Sequence, residues 1–184
     1  MTCISYASVS GPQVPPIQSE LPRLRFKHIV LHLRGGDAGA RIMPPDYYAR
    51  VAQTIELAHI ERGCKQELAF TFHTNSPLNS AMRKALNPSG SANRVIHGKE
   101  YDLLTAVDEM VKADVLVASV SSLSHVAGLI GNQSAVFYPG DARGAKERLG
   151  MLEALGWIAL PSRRQVTIAS MRRVHWPCSS RPAG

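Results

Sequence analysis

From residue 28 to about residue 155, short apolar runs alternate with longer amphipathic stretches, and few architectures accept that alternation. The runs HIVLHL (28–33), LAFTF (68–72), RVIH (94–97), DVLVAS (114–119) and SAVFY (134–138) have the length of strands. Between and after them lie PPDYYARVAQTIELAHIER (44–62), PLNSAMRKAL (77–86), DLLTAVDEMVKA (102–113), SSLSHVAGLI (121–130) and ARGAKERLGMLEAL (142–155), each read as a helix. In the first, Tyr48, Val51, Ile55 and Ala58 repeat at the three- and four-residue spacing of one helix face. Pro44 and Pro45 suit a first turn, where a missing N–H costs nothing. Asp102 suits an N-cap, and Asn87-Pro88 with Gly90 stops the second helix. The pattern predicts an α/β sandwich with a mainly parallel sheet of about five strands and right-handed crossovers.

Outside that block the composition changes. Residues 1–26 are rich in Ser, Pro and Gly and are expected to be a leader without its own fold. Residues 161–184 are expected to be a basic tail, with a short strand near Val166–Ile168. The formal net charge of +7 favours anionic partners. Much of it sits at the two ends: Arg23, Arg25 and Lys27 before the first strand, and Arg163, Arg164, Arg172, Arg173 and Arg181 in the tail. The tail lacks aromatic interleaving beyond Trp176 and carries no RNA-binding motif, so no nucleic-acid partner is expected. Cys3, Cys64 and Cys178 form no CxxC pair and no zinc-spaced cluster with histidine. No apolar run is long enough for a transmembrane helix, and no secretory signal is legible at the N-terminus.

In a parallel α/β sheet, ligands bind beyond the carboxyl ends of the strands. The segments there are Arg34 to Asp37, His73 to Ser76, His97 to Lys99, Ser119 to Ser124 and Pro139 to Asp141. Ser119, Ser121, Ser122 and Ser124 span a strand end and a helix start. A helix start offers N–H groups and partial positive charge to an anion, and small hydroxyl residues let it come close. Simple capping by Ser121 or Ser122 is the plainer reading. Arg34 ends the first strand beside Gly35 and Gly36, where a guanidinium fork would meet phosphate oxygens; a bridge to Asp37 is the alternative. The chain has no GxxxxGK[ST], no strand-linked GxGxxG and no HExxH, which argues against a P-loop kinase, a dinucleotide dehydrogenase and a zincin. It also lacks a nucleophile elbow.

HLRGGD (32–37) resembles the H-x-R-R-G-D motif of the α-1,2/α-1,6-fucosyltransferase superfamily, which includes the nodulation fucosyltransferases. PPDYYARV (44–51) is similar to the tyrosine-bearing helix start that follows that motif. ADVLVASVSSLSHVAGLIGNQSAVFYP (113–139) is similar to the family's strand, serine cluster and helix, and FTFHTNSP (70–77) sits where the family has a strand ending in an acidic turn. Order and spacing agree over roughly residues 28–140. The resemblance implies a Rossmann-like domain corresponding to the donor-binding C-terminal half of a GT-B glycosyltransferase, with the acceptor half missing. It implies that Arg34 binds the donor's β-phosphate and stabilises the leaving diphosphate, that His32 lies near the nucleotide, and that Ser121 and Ser122 close on the phosphates. Asn75 stands at the position of the family's base-reading aspartate, and Gly35 at that of its second arginine. The reaction implied is inverting, metal-independent transfer from GDP-fucose, or a related nucleotide sugar, to a glycan acceptor, without a cofactor. A degenerate, non-catalytic nucleotide-binding module is the alternative.

Overall fold

The computed structural model describes residues 26–35, 43–140, 149–160 and 171. The elements follow in strict alternation: β1 (Phe26–Leu33), α1 (Pro45–Glu61), β2 (Glu67–Thr74), α2 (Ser80–Leu86), β3 (Arg94–His97), α3 (Leu103–Lys112), β4 (Val115–Val117), α4 (Ser122–Ile130), β5 (Ala135–Pro139), α5 (Leu149–Ala154) and β6 (Ile158–Leu160). Every strand pairing is parallel. The strands lie in the order β3-β2-β1-β4-β5-β6. The chain begins in the middle of the sheet, works outward to β3, then returns beside β1 and works outward the other way. This is the Rossmann-like strand order, and its reversal falls between β1 and β4.

Side-chain alternation assigns each strand residue to one of two layers. Ile29, Leu31, Leu33, Phe70, Phe72, Val115 and Val117 face α1 and α2, where Tyr47, Tyr48, Val51, Ile55 and Leu86 are buried with them. Val30, Leu116, Val136 and Tyr138 face the other way, against Met110 of α3, Ala127 of α4, Leu152 of α5 and Trp157. Both sheet faces are covered, which is why the strands read as unbroken apolar runs. Met171 is fully buried in the first layer, and its carbonyl accepts from the Arg62 guanidinium at 3.2 Å.

Local chemistry sets the helix starts. Asp102 caps α3 by accepting from Thr105 N at 2.7 Å. Asn79 Oδ1 accepts from Met82 N at 2.8 Å, which moves the start of α2 to Ser80 from the expected residue 77. β2 runs two residues past the expected end, because His73 and Thr74 continue to pair with His32 and Leu33 of β1. Among the described residues the sheet has six strands where about five were expected. β6 escaped the sequence reading because it follows α5 after a turn only a few residues long, so its apolar residues merge with those of the helix. The segments expected over 142–148 and near Val166–Ile168 lie outside the described residues, as do the leader, except Phe26, and the tail, except Met171. Among the described residues no helix is long and apolar enough to cross a membrane.

Candidate functional site

At the point where the strand order reverses, two crossovers leave the sheet in opposite directions, the place where open α/β sheets take their ligands. Arg34 follows β1 on one side of it; Ser119 to Ser122 follow β4 on the other. The two sides meet: Arg34 Nη1 donates to Ser121 Oγ at 3.3 Å, across 87 positions of sequence. Ser121 occupies the N-cap position of α4 with extended backbone (φ −136°, ψ 134°), but its side chain makes no cap bond. Its hydroxyl is turned to the guanidinium instead. The plain capping reading of Ser121 is therefore corrected. Ser122 opens α4 with an exposed side chain. Asp37, the alternative partner for Arg34, lies outside the described residues.

Ser124 shapes this turn from behind. It is fully buried, and its Oγ accepts from Ser119 N at 3.2 Å and lies 3.3 Å and 3.2 Å from the carbonyl oxygens of Ser119 and Ser121. Ser119 Oγ in turn shares a hydrogen bond with His32 Nδ1 at 3.0 Å. His32 is only 6% exposed, and its pKa falls to about 4, chiefly by burial and then by the charges of His73, Arg34 and His125. The imidazole is thus neutral at physiological pH and serves as a buried strut under the α4 start.

Asn75 follows β2, and its Oδ1 accepts from Gly35 N at 2.6 Å. Through that bond Asn75 holds the β1 tip. Thr74 Oγ1 accepts from Ser76 N at 3.1 Å and folds the same turn inward. The five residues singled out from the sequence therefore share one edge of the sheet, but in different roles. Arg34 and Ser121 touch, His32 supports from beneath, Asn75 braces from the side, and Ser122 stands at the helix mouth.

A second polar group joins His73 and His97, which open two of the segments singled out from the sequence, to Tyr101 and Glu109, which the sequence reading missed. His73 Nε2 donates to Glu109 Oε2 of α3 at 2.8 Å, and Tyr101 Oη donates to Glu109 Oε1 at 2.7 Å. The His97 and Tyr101 rings stack with centroids 3.8 Å apart and planes 20° from parallel, and His73 lies 5.1 Å from each. Burial works against the Glu109 carboxylate, but the bonds from His73 and Tyr101 outweigh it and hold its pKa below the ordinary value. Burial, then the bond to Glu109, pushes the Tyr101 phenol up, so that proton stays on the tyrosine. The available signal was period-two spacing combined with register. His28 and His32 fall on one face of β1, and His32, His73 and His97 are cross-strand partners. No group of three potential ligands suited to a metal ion occurs among the described residues.

No protein-family model matches this chain, and no curated protein matches its sequence.

Proposed function

We propose that the chain binds the diphosphate of a nucleotide sugar, GDP-fucose foremost, at the β1–β4 switch point, as the donor domain of an inverting, metal-independent transfer to a glycan. The observation that carries this reading is the Arg34–Ser121 contact at the reversal of strand order. In this role the guanidinium faces the two terminal phosphate oxygens and offsets the charge that grows on the leaving diphosphate. Ser121 Oγ accepts from Arg34, so its own proton is directed to a phosphate oxygen. The first N–H groups of α4, without a side-chain cap, supply the remaining donors. His32 stays neutral and keeps the α4 start in place. Arg34 is the catalytic residue in this scheme.

The test is a melting curve with and without millimolar GDP. Ligand at ten times its Kd adds about 1.4 kcal/mol to stability, a rise of roughly 3–5 °C for a domain of this size. Arg34→Ala is expected to remove the rise. No shift in the unaltered chain sinks the reading.

A non-catalytic nucleotide-binding module is the second reading, and position 35 favours it. A β-carbon on Gly35 would overlap Ser76 Oγ and come within 2.9 Å of Ser76 Cβ, so the second arginine of the resembled motif has no room here. Fucosyl transfer to any glycan, measured with radiolabelled donor, excludes this second reading.

A further inference from the structure

We propose that the His97–Tyr101 ring pair is the platform on which the planar base of the bound nucleoside diphosphate stacks; the inference rests on the phosphate reading above. Three observations place it. First, His97 ends β3 and Tyr101 follows within the same β3–α3 turn, at the carboxyl edge that also carries Arg34 and Ser121. β3 lies two strands from β1, a separation of about 10 Å. That is the reach of a ribose and its phosphates. Second, both features lie on one side of the sheet. Ile96 packs into the α1 layer, so His97 projects to the α3 side, and α4, whose start forms the phosphate site, belongs to that same layer.

Third, the pair is built as a rigid surface while keeping solvent access. His97 and Tyr101 are both half-buried, and their rings are parallel at stacking distance. The carboxylate of Glu109 anchors the tyrosine hydroxyl on one oxygen and the buried His73 on the other, and His73 backs both rings. Burial, followed by the nearby His73, lowers the His97 pKa, which leaves a neutral ring at its edge. A flat neutral face accepts any base by stacking, without requiring hydrogen-bond readout.

The experiment compares GDP with inorganic pyrophosphate by titration calorimetry on the full 184-residue chain. GDP is expected to bind roughly ten- to a hundredfold more tightly than pyrophosphate. His97→Ala and Tyr101→Leu are expected to erase that advantage and leave pyrophosphate affinity unchanged, and His97→Phe to restore it. Tyr101→Phe keeps the ring, and is expected to retain most of the preference. Equal affinities in the unaltered chain, a preference that survives His97→Ala, or a parallel loss of pyrophosphate binding in that variant overturns the platform while the phosphate site stands. Binding of neither ligand overturns both.

Discussion

Gly35 shows how far one residue limits what this edge can hold. Its N–H is bonded to Asn75 Oδ1, and the space a side chain would need is filled by Ser76. Gly35→Ala is expected to destabilise the chain by about 1–3 kcal/mol through overpacking, with Ser76→Gly in the same chain recovering most of the loss; urea denaturation midpoints measure both. Arg34 and the serines were legible in sequence because an arginine at a strand end and hydroxyls at a helix start are local signals. Which hydroxyl meets the guanidinium was not legible, since the pair is 87 positions apart and depends on β1 and β4 lying side by side. Asn75 was placed correctly at the β2 tip, but its partner came from a backbone turn that no spacing rule reports.

At the scale of elements, α4 owes its seat to Ser124 rather than to a cap. The hydroxyl is fully buried and ties the β4 exit to the first turn of the helix. Ser124→Ala leaves Ser119 N–H buried without its acceptor, and a loss of about 1–3 kcal/mol is expected. Weaker GDP binding should accompany it, because the Ser121 hydroxyl rides on that turn; calorimetry and denaturation on the same variant read both effects. Most element boundaries followed from periodicity and capping residues, as with Asp102 before α3 and Val115–Val117 within the longer run expected there. β6 did not, because three strand residues directly after a helix carry no alternation of their own. Nor did the His73–Glu109–Tyr101 cluster. Each member is unremarkable in its own element, and only strand register and the placement of α3 bring them together.

For the whole molecule, burying imidazoles beneath the switch point makes stability depend on pH. The His32 pKa is about 4 in the folded chain against 6.5 as the reference value, so the unfolded chain binds the proton first as pH falls. Its contribution is fully present above pH 6.5 and is lost between there and pH 4, amounting to about 3 kcal/mol. Lowered pKa values at His28 and His97 act in the same direction. Unfolding free energies measured across that window should fall steeply in the unaltered chain and less steeply in His32→Gln. The α/β class with a mainly parallel sheet was readable from the alternation alone, whereas the order β3-β2-β1-β4-β5-β6 was not, because pairing between distant strands leaves no mark in composition. That order is what brings the Arg34 and Ser121 segments, far apart in sequence, into contact. The most direct test is a double-mutant cycle on GDP affinity with Arg34→Ala, Ser121→Ala and the pair. One shared phosphate site requires each single variant to weaken binding and the double variant to lose less than their sum, a coupling of about 1 kcal/mol or more. GDP affinity unchanged in Arg34→Ala would contradict it.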